Sequence, residues 1–224
     1  MAYNLQSYFE MRFSGTRSSP AKKNAFMTIS RQTGCNGTGI AIDLVKTLKT
    51  EGYKWSFMNK EVLEEAANKL RVDPSKIQYV FENKKKNHMD EVIAAFSSKY
   101  YRSDKKVRKT ITEVIRYYAS QGNIIIVGRA GVATTSDLPG GLHLRLTAPY
   151  EWRLNALQRR AEFKDEDIAA FIKKHDAKKK MLIEDYYGKD MSEIQFDLTI
   201  NCAAFTRPQI ISMIIDAMKW KKLI

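Results

Sequence analysis

A short apolar strand that runs into glycines and then into a helical pattern constrains this chain most strongly. The strand is predicted at residues 26–29, the glycines lie between Gly34 and Gly39, and the helix continues to about Glu51. Similar short apolar segments recur at 54–58, 124–127, 142–146 and 196–200. Strands that alternate with helices indicate βαβ units and a parallel sheet covered on both faces. We therefore predict an α/β fold in three layers.

Helical patterns fill the intervals between these strands, at 60–70, 75–101, 105–121, 149–163, 165–186 and 207–221. The last of them has a favourable start, with Thr206 as the N-cap and Pro208 in the first turn. The first residues are polar and irregular. We interpret 1–24 as an N-terminal arm ahead of a single domain at 25–224.

Composition excludes several classes of protein. The 224 residues are 44% hydrophobic and 28% charged, which is typical of a globular chain. Two cysteines cannot form a disulfide framework, and we expect a cytoplasmic protein. The sequence lacks an apolar run long enough to span a membrane and an apolar leader, so neither a membrane nor a secreted protein is expected. The net charge of +13 favours an anionic partner: nucleic acid, anionic lipid or a phosphorylated small molecule.

The glycines after the first strand form a candidate phosphate-binding segment. Backbone N–H groups at such a turn can surround an anion, and the following helix directs its positive N-terminus at the same place. Gly34 and Gly39 fit the two glycines of the pattern GxxxxGK[ST], but Ile40 and Ala41 then occupy the Lys and Ser/Thr positions. The alternative frame puts Gly37 where the lysine belongs. A tight turn without a ligand remains the structural alternative.

Basic residues from other segments provide charges for the same edge of the sheet. Arg129 directly follows the strand at 124–127, where ligands bind in open α/β sheets. Arg153 and Arg160 are seven residues apart on one helix, and the next helix carries Lys173, Lys174, Lys178, Lys179 and Lys180. Each residue alone is more typical of a solvated helix face. Their convergence predicts a phosphate site.

Several segments, in the same order along the chain, match a known pattern. They are ISRQTGCNG at 29–37, VGRA at 127–130, LTAPYEWR at 146–153, Asp176 with Lys179, YGKD at 187–190 and FDLTIN at 196–201. Together, over about residues 25–222, they resemble the cytidylate kinase-like family, close to the bacterial cytidylate kinases among the P-loop nucleoside monophosphate kinases. The resemblance implies a five-stranded parallel sheet, an acceptor-binding helical region at 59–118 and a lid at 160–190.

The resemblance also implies an activity: phosphoryl transfer from ATP, with Mg²⁺, to a nucleoside monophosphate such as CMP or dCMP. Arg129 would hold the phosphate of the acceptor. The lid side would contribute Arg153, Arg160 and Lys179. Asp176 would orient those cations or the base of the acceptor. The residues expected to bind ATP are Arg31, Gly34, Asn36, Gly37, Thr38, Gly39 and Asn201, with Thr38 also as a ligand of Mg²⁺.

The chain departs from the family pattern at several positions. It lacks the phosphate-loop lysine of cytidylate kinases, and Thr38 stands where relatives often have an arginine. Other departures are Asn59 for an acidic residue, Lys179 for an arginine and Ala130 for an aspartate. We hypothesise that Arg31 compensates for the lysine.

Two further functions remain as alternatives. One is a nucleotide-binding regulatory protein without turnover, which the missing lysine favours. The other is nucleic-acid binding through Lys84–Lys86 and Lys105–Lys109.

Overall fold

A parallel sheet of five strands forms the centre of the protein. The computed structural model describes residues 24–71, 73–74, 104–160 and 167–224. The strands are β1 (Phe26–Arg31), β2 (Ser56–Met58), β3 (Ile124–Val127), β4 (Gly141–Thr147) and β5 (Leu198–Asn201). They lie in the order β2-β3-β1-β4-β5, and every neighbouring pair is parallel. The five-stranded parallel sheet that the resemblance implies is therefore confirmed.

Seven helices pack around this sheet in the described part of the chain. They are α1 (Gly37–Thr50), α2 (Glu61–Leu70), α3 (Asp104–Gln121), α4 (Gly131–Thr135), α5 (Tyr150–Gln158), α6 (Ile168–Tyr187) and α7 (Arg207–Trp220), with a 3₁₀ turn at Met191–Glu193. Among these ranges no helix is both long enough and apolar enough to cross a membrane.

The helix α5 differs from its prediction, because it ends at Gln158 and not at 163. The backbone N–H of Arg160 donates to the carbonyl of Leu157 at 2.9 Å, three residues back. Such a bond tightens the last turn and satisfies a carbonyl that the helix leaves unpaired. The start of α7 agrees with its prediction: the backbone N–H of Thr206 donates to the Gln209 side chain at 2.9 Å, and Pro208 lies in the first turn.

Two hydrophobic cores lie on opposite faces of the sheet. Met27 and Ile29 pack with α1 and α7 on one face, whereas Phe26 packs with α2 and α3 on the other. This alternation follows from the two-residue period of a strand. β3, with four consecutive buried residues, contributes to both cores, as expected of a strand covered on both sides. The three-layer α/β prediction is confirmed.

Parts of some predictions lie outside the described residues. These parts are the arm up to residue 23, the helix at 75–101, the lysines at 84–86 and positions 161–166 of the lid. β1 is longer than predicted and ends at Arg31, which pairs with Leu146 of β4. The side chain of Arg31 therefore starts at the carboxyl edge of the sheet.

Candidate functional site

The segment between β1 and α1, residues 32–36, is here called the glycine loop. Gly34 has a φ of +101°, and a Cβ there would lie 2.9 Å from the Cβ of Arg153, so both conformation and contact require glycine. Asn36 is left-handed and caps α1, because its side-chain oxygen accepts the N–H of Gly39 at 3.2 Å. The loop thus turns the chain sharply and leaves the N-terminus of α1, which begins at Gly37, at the carboxyl edge of the sheet.

One carboxylate ties the glycine loop to the helix α6. Oδ1 of Asp176 accepts both the backbone N–H and the hydroxyl of Thr33, each at 2.7 Å, while Oδ2 accepts Nη1 of Arg153 at 2.6 Å. Burial raises the pKa of Asp176, but the two bonds from Thr33 and the charges of Lys179 and Arg153 bring the pKa below its ordinary value. Asp176 is therefore a carboxylate at neutral pH.

Arg153 joins the same network from α5. Only 7% of this residue is exposed. Its Nε donates to the carbonyl of Ala148 at 3.1 Å, and its Nη1 donates to the carbonyl of Thr33 at 3.2 Å as well as to Asp176. A buried guanidinium with these three partners holds α5, the glycine loop and α6 in one arrangement.

Lys179 lies one turn beyond Asp176 on α6 and points at the same loop. Its Nζ donates to the hydroxyl of Thr33 at 2.5 Å and lies 3.5 Å from Oδ1 of Asp176. Burial and repulsion by Arg31 lower the pKa of Lys179 to about 8, although Asp176 opposes the shift. The ammonium group remains charged at neutral pH, but it loses its proton at a lower pH than the ammonium group of a solvated lysine.

Arg31 crosses from the end of β1 to the end of β3. Its Cγ and Cδ would lie 3.3 Å from a Cβ on Gly37, and its guanidinium occupies the space where Gly128 lacks a side chain. A Cβ on Gly128 would overlap Nη1 and lie 2.9 Å from Cζ of Arg31. Burial, followed by the charge of Arg129, lowers the pKa of Arg31 to about 10. Within the described ranges, no Asp or Glu forms an ion pair with this guanidinium.

Arg129 occupies the corresponding position at the end of β3. It is left-handed with a φ of 55°, and its Nε donates to the backbone carbonyl of Asn59 at 3.3 Å. Burial lowers the pKa of Arg129, and the charge of Glu61 partly restores it. The amide Nδ2 of Asn59 in turn donates to the hydroxyl of Thr38 at 3.3 Å. The ends of β2 and β3 and the first turn of α1 therefore meet at one place.

The hydroxyl of Thr38 is suited to its predicted role as a ligand of Mg²⁺. It lies in the first turn of α1 and is a hard oxygen, which Mg²⁺ prefers. Because Asn59 donates to this oxygen, the oxygen is held as an acceptor and keeps a lone pair for a cation. Mg²⁺ ordinarily takes one or two protein ligands and completes its shell with phosphate oxygens and water.

Among the described residues, no hydrogen bond joins the side chain of Asn201 or of Arg160, both predicted site residues, to the glycine loop. Asn201 ends β5, and its Oδ1 accepts the backbone N–H of Ala203 at 3.0 Å, which fixes the turn after the strand. Arg207, the first residue of α7, donates to the carbonyl of Gly39 and to Asp43, each at 2.6 Å, and so joins α7 to α1. Arg160 follows α5 and is half-buried. In the described part of the chain it makes no hydrogen bond to the loop.

Two residues at the centre of the site were missed in the sequence. Thr33 was assigned no role, although a hydroxyl directly before Gly34 is a possible signal for a side-chain network. Gly128 was recognised only as part of the Gly-Arg motif. Its close approach to Arg31 depends on tertiary packing, and nothing in the sequence indicates it.

A comparison with protein families identifies the group. A family model described as "Cytidylate kinase-like family" matches residues 26–204, most of the chain. The chain belongs to the cytidylate kinase-like family. The match includes the glycine loop and Arg129, Arg153, Asp176 and Lys179. Membership of the cytidylate kinase-like family supports nucleotide-dependent phosphoryl transfer as the general class of activity. No curated protein matches the sequence.

Solved structures share the fold of this cytidylate kinase-like protein. An uncharacterised protein from Eubacterium ventriosum ATCC 27560 is 17% identical with a TM-score of 0.63, over 88% of this chain and 99% of that one. A shikimate kinase from Acinetobacter baumannii, in complex with shikimate, is 16% identical with a TM-score of 0.49, over 89% and 96%. A shikimate kinase from Aquifex aeolicus vf5 is 13% identical with a TM-score of 0.46, over 87% and 96%. At such identities the likeness concerns the fold alone.

Proposed function

We propose that this chain transfers a phosphoryl group from ATP, with Mg²⁺, to a nucleoside monophosphate, and that the acceptor is CMP or dCMP. The observation that carries the proposal is the convergence of Arg31, Arg129 and Lys179 at the carboxyl edge of the sheet. The three cations come from β1, from the residue pair after β3 and from α6. They interact closely enough that Arg129 lowers the pKa of Arg31, and Arg31 lowers that of Lys179.

Arg31 takes the part of the absent phosphate-loop lysine on the donor side. A phosphate-loop lysine contributes one positive charge beside the β- and γ-phosphates. Arg31 places a guanidinium beside the glycine loop, packed along Gly37 and against Gly128. With a pKa of about 10 it stays charged at neutral pH, and its planar donors suit two phosphate oxygens at once.

Arg129 holds the phosphate of the acceptor on the other side of Arg31. Its contact with Asn59 supports this role, because Asn59 is the first residue of the region 59–118, to which we assign acceptor binding. We assign the lid to 160–190, where Lys179 and Arg160 close on the transferring group. Arg153 and Asp176 act mainly as positioning residues, because their polar atoms already hold the glycine loop and α6 together. Asn201 lies beside the proposed base of ATP.

The proposed reaction requires positioning and charge more than covalent chemistry. Phosphoryl transfer passes through a transition state whose negative charge spreads over the phosphate oxygens. Fixed cations and N–H groups in a site that excludes water stabilise that charge. The hydroxyl of Thr38 would help to hold Mg²⁺, which would supply positive charge that stabilises the phosphate oxygens of the donor. Arg31 and Lys179 approach the site from β1 and α6 and so confine the transferring group between donor and acceptor.

The regulatory alternative keeps the same site but not the turnover, and the absence of the phosphate-loop lysine favours it. The nucleic-acid alternative has less support. Arg108 pairs with Asp185 at 3.4 Å, and Lys109 pairs with Glu113 at 3.9 Å. The basic run at 105–109 is therefore partly compensated within the protein.

The first experiment measures ADP production from ATP and Mg²⁺ with a panel of monophosphates. It compares the wild type with Arg129→Ala and with Lys219→Ala as a matched control. Lys219 forms a surface pair with Glu51 at 3.3 Å, outside the regions assigned to either substrate, so its loss removes the same formal charge away from the site. Loss of one charged group that contacts the transition state lowers kcat by about 10²–10³-fold.

Turnover with CMP or dCMP that Arg129→Ala abolishes and Lys219→Ala preserves supports the proposal. Turnover with a different acceptor alone contradicts the choice of cytidine nucleotides and keeps the reaction class. ATP binding by a folded protein without turnover favours the regulatory alternative. A wild type that binds no ATP refutes both readings.

A further inference from the structure

The side chain of Thr33 lies at the centre of a hydrogen-bond chain between the glycine loop and α6. Only 7% of the residue is exposed. Its hydroxyl donates to Oδ1 of Asp176 at 2.7 Å and accepts from Nζ of Lys179 at 2.5 Å. The direction of both bonds is fixed, because an ammonium group can only donate and a hydroxyl has a single proton. The hydroxyl proton therefore points at Asp176, and a lone pair points at Lys179.

The attachment of the glycine loop to α5 and α6 has its own hydrogen bonds. The backbone N–H of Thr33 donates to Oδ1 of Asp176 at 2.7 Å, and the backbone carbonyl of Thr33 accepts Nη1 of Arg153 at 3.2 Å. Neither bond involves the side chain of Thr33, so a substitution at position 33 leaves both in place. The hydroxyl is thus available for a separate task.

The ammonium group of Lys179 depends on Thr33 more than on the carboxylate beside it. Nζ lies 3.5 Å from Oδ1 of Asp176, compared with 2.5 Å from the hydroxyl oxygen. Oδ1 already accepts two bonds from Thr33, and Oδ2 pairs with Arg153. The nearer partner of Nζ is therefore the hydroxyl. An ammonium group on a flexible four-carbon chain takes one position only where an acceptor fixes it.

We propose that Thr33 is a positioning residue whose hydroxyl holds the ammonium group of Lys179 at the glycine loop, ready to contact the phosphates of the nucleotide. This inference rests on the proposed function, in which Lys179 closes on the transferring group. A cation that is already in place loses less conformational freedom when the phosphates bind. In this role Thr33 acts through Lys179 and not by contact with the reacting atoms.

The test removes the hydroxyl with little change in the shape of the side chain. Thr33→Val exchanges the hydroxyl for a methyl group, and Thr33→Ser keeps the hydroxyl and removes the methyl group. Thr47→Val is the matched control, because the hydroxyl of Thr47 donates to the carbonyl of Asp43 within α1, at 3.0 Å. Thr33→Ala replaces Thr33→Val if circular dichroism shows that the valine variant is unfolded. Calorimetric titration of the full chain measures its affinity for ADP.

Thr33→Val should raise the Kd for ADP by about tenfold or more, because the phosphates lose a charged hydrogen bond whose donor is no longer held in place. Thr33→Ser and Thr47→Val should stay within about twofold of the wild type. In a chain that already carries Lys179→Met, Thr33→Val should change the Kd by less than about twofold, since the hydroxyl has no ammonium group left to hold.

The pH profile of ADP binding separates this role from a general effect on the loop. The affinity of the wild type should fall as pH rises through about 8, the pKa of Lys179. The groups that face this ammonium are Arg31 of β1, Cys35 of the glycine loop and Asp176 of α6, and all of them remain in the variants. In Thr33→Val the fall should be shallower, because the titrating group no longer lies at the phosphates.

Four results would overturn the inference. An unchanged affinity in Thr33→Val would show that the hydroxyl has no part in binding. An equal loss in Thr33→Ser would assign the effect to the packing of the methyl group. The same loss in the Lys179→Met background, or a pH profile that Thr33→Val leaves unchanged, would show that Thr33 does not act through Lys179.

Denaturation in urea tests the contact without any nucleotide. Thr33→Val leaves the half-buried ammonium group of Lys179 without its acceptor, whereas Lys179→Met removes the donor as well. The loss of urea midpoint on Thr33→Val should therefore be larger in the wild type than in Lys179→Met. Equal losses in both backgrounds would overturn the contact itself. If the wild type binds no ADP, the proposed function and the role in nucleotide binding fail, and the midpoints still decide whether the hydroxyl holds Lys179.

Discussion

Gly128→Ala is the substitution that tests the position of Arg31 most directly, because it leaves every charge in the chain unchanged. Gly128 has a φ of +73°, and a new Cβ would overlap Nη1 of Arg31. The guanidinium is the flexible end of a side chain, so it moves and the backbone stays. The variant therefore displaces the cation from the glycine loop and keeps the protein folded.

The expected magnitude has a backbone part and a binding part. Alanine in a left-handed conformation costs about 1–2 kcal/mol, which lowers the Tm of a domain of this size by about 2–8 °C. In the proposed role of Arg31 as a phosphate ligand, its displacement removes charged hydrogen bonds, each worth about 1.5–3 kcal/mol. Loss of one such bond raises the Kd for ADP by about 10- to 150-fold.

Gly52→Ala is the matched control. Gly52 has a φ of +87°, and no atom lies within 4 Å of the position of its Cβ. Gly52→Ala therefore has the same free-energy cost for a left-handed alanine but makes no contact with Arg31. Thermal denaturation should show a similar loss of Tm in both variants, and calorimetric titration should show weaker ADP binding in Gly128→Ala alone.

A double-mutant cycle with Arg31→Ala identifies the route of the effect. If Gly128→Ala acts by moving the guanidinium, it should change ADP affinity little in a chain that already lacks Arg31. Equal affinity in Gly128→Ala and Gly52→Ala would refute the role of Arg31 in nucleotide binding. Fully additive losses in the double variant would show that Gly128 affects the site by another route.

Three further predictions concern the residues of α6 that face the glycine loop. Asp176→Asn should lower the free energy of unfolding by about 1.5–3 kcal/mol, because it leaves the buried Arg153 without its charged partner. Asp137→Asn, at a surface ion pair, should lower it by at most about 1 kcal/mol. Equal losses of stability in urea denaturation would contradict the network around Asp176. Because burial lowers the pKa of Lys179 to about 8, its charge and the affinity for ADP should both fall as pH rises through 8, and a Lys179→Met variant with the same pH profile would contradict the assignment. The same shift opposes folding below pH 8, so wild-type stability relative to Lys179→Met should rise between pH 8 and about 10.5.

The fold could be predicted from the sequence because its signals are local. The run Ile124–Val127 is buried on both faces and therefore apolar throughout, which distinguishes it from the helices around it. The start of α7 is encoded by Thr206 and Pro208, two residues that favour a helix N-terminus wherever they occur. Residue types with such local preferences need no knowledge of the partner segments.

The network of the candidate site could be predicted only in part, because its contacts join distant segments. Asp176 and Lys179 are one helical turn apart, and the family resemblance implied that Asp176 orients cations such as Lys179 towards a phosphate. The sequence did not predict that the hydroxyl of Thr33 donates to Asp176 and accepts from Lys179. These contacts depend on how α6 packs against the glycine loop, which the pattern of apolar residues does not encode.

The cations at the sheet edge divide into two groups with different consequences. Arg153 is matched by Asp176 and by two carbonyl oxygens, so its charge is compensated within the protein. Arg31 and Lys179 lie close together, and burial and repulsion lower the pKa of both. Their arrangement costs stability in the free protein, and a polyanion at the glycine loop would relieve that cost. Clusters of like charge that cost stability in this way are typical of ligand-binding sites. The electrostatics of the edge therefore favour a phosphate-rich substrate even though the lysine of the phosphate loop is absent.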